Sequence, residues 1–255
     1  MEGIAPDGRP WSLVLSQAGR AELAQIVSEH LFRFTEREAL QVLRHPYVSQ
    51  KAIEEIVGAR RFTAVREIRA AIARNPLTPR PDALRCLEDL TWRDLMEIGR
   101  EVRTPPPVRR AANARVLQLL PGLALGEKIS LAHFVDRDLF RALLDEADPA
   151  VFGAVLRNPR LQTDDVVAWL TTGNVDAARI ELLSTDRIWS LRPPVRMALL
   201  RHRATPRAVA LSILLKGSRE EWRRVMDDPA SSPLLVACAE RLLLEKPVDS
   251  GDDRL

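Results

Sequence analysis

Ile68-Arg69-Ala70-Ala71-Ile72-Ala73-Arg74-Asn75-Pro76-Leu77-Thr78-Pro79 holds the end of one helix and the start of the next within twelve residues. Asn tolerates the left-handed turn that closes a helix, and Pro cannot continue one, so the spacing predicts a stop at Asn75-Pro76. Thr78 is suited to cap a following helix, with Pro79 in a first turn where a missing N–H costs nothing. The same ending recurs as Val42-Leu43-Arg44-His45-Pro46, Val155-Leu156-Arg157-Asn158-Pro159 and Leu199-Leu200-Arg201-His202-Arg203, with Ser49, Thr163 and Thr205 as the corresponding caps. A chain that repeats a helix-turn-helix unit stacks each unit's apolar face on its neighbours and presents a long surface instead of a closed pocket.

The recurrences lie 30, 83 and 44 residues apart, and 83 is two units of roughly 42. Paired with itself at an offset of 127, the chain matches Arg69 with Arg196, Ala71 with Ala198, Arg74 with Arg201, and Thr78-Pro79-Arg80 with Thr205-Pro206-Arg207. The match runs on through Ala83-Leu84 with Ala210-Leu211, Leu87 with Leu214, Pro106 with Pro233 and Ala112 with Ala239. Capping boxes are read at Thr35 to Glu38 and Ser218 to Glu221, with a related start at Thr91 to Asp94. Asp136, Asp148-Pro149, Asn174 and Ser232-Pro233 mark further helix starts. Apolar residues recur three and four apart, as in Leu139, Leu143, Leu144 and Val209, Ile213, Leu214, and no strand-like alternation competes. The expectation is an all-α, right-handed α-solenoid of roughly fourteen helices in about seven pairs. Capping helices are expected over 1–34, repeats over 35–246 with a bend near 119–131 where Pro121, Gly122 and Gly126 break the register, and a disordered acidic tail over 247–255.

The segment Ile68 to Leu87, in which Ile-Arg-x-Ala-Ile-Ala-x-Asn-Pro-x-Thr-Pro is followed by spaced leucines, resembles the leucine-rich repeat variant, a HEAT-like helical repeat. Val195 to Leu214 resembles it less closely, since Arg203 replaces the proline, and the remaining units fit as generic helical pairs. The resemblance implies a binding or scaffolding protein and transfers no catalytic residue. One member of that repeat class carries an iron-sulfur cluster, which needs about four cysteines. This chain has two, so no cofactor is implied.

In 255 residues, 46% apolar content suffices for a large core and 5% aromatics suits packing by Leu, Ala and Val. The polar opening Met1 to Pro10 has no export signature and no apolar run approaches a membrane span of about 20 residues, so a cytoplasmic chain without a membrane partner is expected. Cys86 and Cys238 align internally with Ile213 and Ala111 and are read as core positions. His45 and His202 occupy the turn site that Asn75 and Asn158 fill, His30 and His133 stand alone, and no metal is expected. Asp164-Asp165 and Asp227-Asp228 sit where acids are ordinary, at helix ends.

Thirty-four of the 38 basic residues are arginine, whose planar fork suits carboxylate and phosphate, although a GC-rich coding bias gives the same excess. Arg44, Arg74, Arg157 and Arg201 share a place in their repeats and are expected to line one edge. There they either bind a partner or stabilise helix ends and pair with acids of the next unit. Arg187, Arg192, Arg196, Arg201, Arg203 and Arg207 form the most basic window, with no acid between them and Trp189 beside them. The nominated partner-binding residues are Arg44, Arg74, Arg157, Arg201, Arg196 and Arg203, in a non-catalytic scaffold for an acidic or helical protein. The alternative is nucleic-acid binding through 187–207. A HEAT-like DNA glycosylase using Trp92 and Asp94 ranks below both, because residues two apart diverge around a helix.

Overall fold

The computed structural model describes residues 3–135, 137–173 and 175–245. The expected helix starts Asp136 and Asn174 and the tail 247–255 lie outside them. The described residues are all-helical and repeat-like: eighteen α-helices, three short 3-10 turns at Leu31–Arg33, Leu120–Gly122 and Trp189–Leu191, and one isolated bridge between Ile4 and Pro10. No helix among them is long and apolar enough to cross a membrane.

The chain divides into two compact units, Met1–Leu123 and Ala124–Leu255. The first holds α1 (Trp11–Gln17), α2 (Arg20–His30), α3 (Glu36–Arg44), α4 (Gln50–Gly58), α5 (Arg60–Thr63), α6 (Arg66–Arg74), α7 (Arg80–Cys86), α8 (Trp92–Arg100) and α9 (Pro106–Leu119). The second holds α10 (Leu125–Phe134), α11 (Arg137–Leu144), α12 (Pro149–Leu156), α13 (Thr163–Thr172), α14 (Ala177–Thr185), α15 (Pro193–Arg201), α16 (Arg207–Leu215), α17 (Arg219–Asp227) and α18 (Pro233–Glu245). Eighteen exceeds the fourteen expected because some breaks are too short to show in a pattern; only Ala59 separates α4 from α5.

Each unit is built in two layers in which a helix packs on the next of its own layer and on its sequence neighbour. In the first unit α1, α3, α6 and α8 pack in series, with α2 on α4 and α7 on α9 behind them; in the second α11, α13, α15 and α17 form the series, backed by α10, α12, α14, α16 and α18. From α3 onward, helix starts in the first unit fall on helix starts in the second when 127 is added: 36 on 163, 50 on 177, 66 on 193, 80 on 207, 92 on 219 and 106 on 233. Buried residues follow the register, as Ile53 with Ile180, Phe62 with Trp189, Ile68 with Val195 and Leu95 with Trp222.

Polar caps repeat as well. Ser49 Oγ accepts the Ala52 N–H at 3.2 Å and Asp176 accepts the Arg179 N–H at 2.8 Å. The three predicted capping boxes form at Thr35/Glu38, Thr91/Asp94 and Ser218/Glu221, and Asp148 caps α12. Thr78 and Thr205 behave differently from expectation: their hydroxyls donate backward to the Ile72 and Leu199 carbonyls, each at 2.6 Å, and so close the preceding helix. Thr163 is already the first residue of α13, with Gln162 at the cap. Thr78→Val should cost about 1–3 kcal/mol in urea melts, since Thr78 is buried and the Ile72 carbonyl loses its partner, while Thr205→Val, at a half-buried site, should cost less.

The left-handed closure expected at Asn and His is absent, for no non-glycine among the described residues has positive φ. His45, Asn75 and His202 are extended, with φ of −70°, −73° and −75°. A following proline disfavours the helical region, which accounts for His45 and Asn75. The side chains do the closing instead: each turn places a polar acceptor that takes the N–H two residues on. Asn75 accepts from Leu77 at 2.9 Å, Asn158 from Arg160 at 2.9 Å, His45 from Tyr47 and His202 from Ala204 at 3.2 Å. Glu101, Asp186 and Asp228 do the same for Arg103, Ile188 and Ala230. Only the asparagines also donate across the stack, Asn75 to the Leu43 carbonyl at 2.9 Å and Asn158 to Ala132 at 2.7 Å.

Candidate functional site

Layer membership decides where the nominated arginines lie. Arg44 and Arg74 close α3 and α6, which pack together in one layer. Arg157 caps α12, whereas Arg201 ends α15 in the other layer of the second unit. The offset of 127 pairs Arg157 with His30, not with Arg44. The expected single edge of four arginines therefore does not form in the second unit, because the shared pentapeptide ends helices of opposite layers.

Three of the six nominated guanidiniums are used inside the fold. Arg74 pairs with Glu97 of α8, Arg201 with Asp228 at the end of α17, and Arg196 makes a two-pronged bond to Glu221, 2.9 Å from Nε to Oε1 and 2.7 Å from Nη2 to Oε2. The Arg196 side chain is only 15% exposed and that of Glu221 5%, so this pair is part of the interior. Burial alone raises the Glu221 carboxyl, yet the bonds from Arg196 and Ser218 outweigh it and hold it below the usual carboxylate range. Equivalent bridges run from Arg66 to Asp94 and from Arg137 to Asp165, in each case from the start of one helix to the third residue of the next in its layer. Arg44, Arg157 and Arg203 are exposed and carry no hydrogen bond or ion pair among the described residues.

The basic window 187–207 is divided by the same accounting. Arg196 and Arg201 are paired; Arg192 bonds Thr163 Oγ1 and lies over the Trp189 ring at 4.3 Å. Trp189 is 2% exposed and donates to the Leu156 carbonyl at 2.9 Å, so its faces are not open to a base. Arg187, Arg203 and Arg207 remain exposed. Trp92 is buried, and Asp94 is held by Thr91 at 2.6 Å and by Arg66 at 3.0 Å. Cys86 is buried, which pushes its thiol up to about 11; Cys238, expected in the core, is half-buried against the cluster of Leu214, Trp222 and Leu235.

A groove of about 750 Å³ opens in the second unit between α13, α15 and α17. Val167, Leu170, Val175, Met197 and Ala198 give it an apolar floor, and Arg201, His202, Arg203 and Arg224 surround it. Its mouth at the end of α13 is lined by Thr171, Thr172 and Gly173, and among the described residues no carboxylate lines it. Gly173 fits there because a Cβ would stand 2.6 Å from the Trp169 carbonyl oxygen. Burial and the neighbouring Arg203 push His202 below the ordinary imidazole range, so at neutral pH the charge of the groove rests on its arginines. The groove brings together Arg201 and Arg203 of the nominated residues. It adds Arg224, His202 and the apolar floor, which the reading of the repeats had passed over. The signal for Arg203 and Arg224 lay in the internal register, where they replace Pro76 and Glu97.

Comparison of the chain with protein-family models, with characterised proteins and with solved structures found no match.

Proposed function

We propose that the protein is a non-catalytic scaffold whose units are short right-handed α-solenoids of HEAT-like pairs, four in each unit, and that it binds an acidic protein partner. The observation that carries this reading is the surplus of guanidinium groups. After internal bridges have taken Arg74, Arg196 and Arg201, the exposed Arg44, Arg157 and Arg203 still have no acid among the described residues. The two-layer stack and the Asn-Pro and His-Pro turns support kinship with the leucine-rich repeat variant as part of the same proposal. Capture of Trp189 and Arg192 in packing weighs against nucleic acid, and the prior engagement of Asp94 weighs against a glycosylase.

The test is affinity purification from native lysate, with and without nuclease treatment, using wild type and the triple variant Arg44→Ala/Arg157→Ala/Arg203→Ala. A protein retained by wild type, insensitive to nuclease and lost from the variant is the expected outcome. Retention of nucleic acid instead, falling steeply with salt, would transfer the site to phosphate recognition.

A further inference from the structure

The two units share one register, so each serves as a reference for the other at the groove. Thr171, Thr172 and Gly173 stand where the first unit has Arg44, His45 and Pro46. Pro194 replaces Glu67, Arg203 replaces Pro76, and Arg224 replaces Glu97. In the first unit Glu97 is consumed by Arg74, whose equivalent Arg201 must turn instead to Asp228. Two carboxylates have gone from this place, two arginines have arrived and one has left, while bulk at the helix end has been trimmed to small side chains. Packing alone does not require these changes, because the same helices pack in the first unit without them.

Resting on the scaffold reading, we infer that the groove between α13, α15 and α17 is the partner site, and that its occupant is an acidic amphipathic protein segment. Leucine-type side chains on one face of such a segment would cover Val167 and Ala198, the two half-buried residues of a floor whose Leu170, Val175 and Met197 are already buried. Carboxylates on its flanks would meet Arg203, which has no partner among the described residues, and Arg224, whose Glu220 partner is exposed on the same helix and holds it weakly. A polyphosphate backbone would satisfy the arginines but would leave the half-buried Val167 and Ala198 uncovered, which favours a protein segment over nucleic acid.

The first unit also supplies the control. Arg203→Pro/Arg224→Glu installs the residues that already occupy the equivalent positions there, in a turn whose preceding residues His202 and Asn75 share φ of −75° and −73°. The double variant should therefore fold, which a thermal melt by circular dichroism checks; Arg203→Ala/Arg224→Ala serves in its place if it does not. Fluorescence polarisation would use a labelled fourteen-residue peptide with leucines at i, i+3, i+4 and i+7 and glutamates elsewhere, its lysine counterpart, and a single-stranded oligo-uridylate. The expected result is binding of the glutamate peptide at least about tenfold tighter than the lysine peptide and weakened at least about tenfold in the double variant, since each tenfold is about 1.4 kcal/mol. Equal binding by the variant, no preference between peptides, a glutamate-peptide Kd above about 1 mM, or tighter binding of oligo-uridylate would each overturn the proposal. If the groove fails while the purification still retains a protein that Arg44, Arg157 and Arg203 control, the scaffold stands without this site.

Discussion

Arg196→Ala lowers the unfolding free energy of the second unit by about 3 kcal/mol, because it leaves the Glu221 carboxylate buried without its counter-charge and with only its Ser218 bonds. The same change at Arg137, whose side chain is 65% exposed and so already shares Asp165 with solvent although Asp165 itself is 9% exposed, should cost less, about 1 kcal/mol. Urea unfolding followed by circular dichroism measures both, and equal losses at the two sites would show that burial does not set the value of these bridges. Acid provides a second reading. A carboxyl held low in the folded state contributes stability that is complete above its unfolded value, about 4.3, and is lost as pH falls through the folded value. Wild type should thus lose stability between neutral pH and strong acid more steeply than Arg196→Ala, in which Arg196 no longer helps Ser218 hold the Glu221 carboxyl down.

The other large effect is expected at Asn158. Its amide donates to Ala132 at 2.7 Å and Val135 at 3.3 Å while its oxygen accepts from Arg160, all in a side chain 3% exposed. Asn158→Ala strands those groups and should cost about 2–3 kcal/mol, whereas Asn158→Asp keeps the shape but sets a carboxylate against two carbonyl oxygens and should cost more than the alanine. At the half-buried Asn75, which donates to one carbonyl, both substitutions should cost less. A melt series in which Asp is tolerated at 158 would show that the amide donor there is dispensable.

Helix ends were legible because their chemistry is local: Pro46, Pro76, Thr91 and Ser218 act within a few residues of themselves, and the offset of 127 carried that punctuation from one unit to the other. What the repeats obscured was layer. Val155-Leu156-Arg157-Asn158-Pro159 copies the ending at Arg74, yet α12 packs behind the layer to which α6 corresponds, and only stacking decides that. Partner choice was hidden for the same reason, as Arg74 reaches Glu97 and Arg196 reaches Glu221 over more than twenty residues. A further turn of the same kind went unread at Ile98-Gly99-Arg100-Glu101, where Glu101 stands in for asparagine as the acceptor. The groove, finally, is made by what is missing. Small residues at Thr171, Thr172 and Gly173 mean little until the bulk of their counterparts is known.

Because the bridges Arg66–Asp94, Arg137–Asp165 and Arg196–Glu221 between stacked helices are made by arginine, they stand outside the chemistry by which cells edit charge on lysine. Acetylation, ubiquitin attachment and amine-reactive probes act on lysine. Among the described residues Lys128 is committed to Glu146 at 2.6 Å with its side chain 16% exposed, which leaves Lys51 and Lys216 on the surface. Neither lysine takes part in a bridge of the kind that joins Arg196 to Glu221. Among the described residues, enzymes that rewrite lysine charge therefore have two exposed targets, and neither holds a bridge between stacked helices.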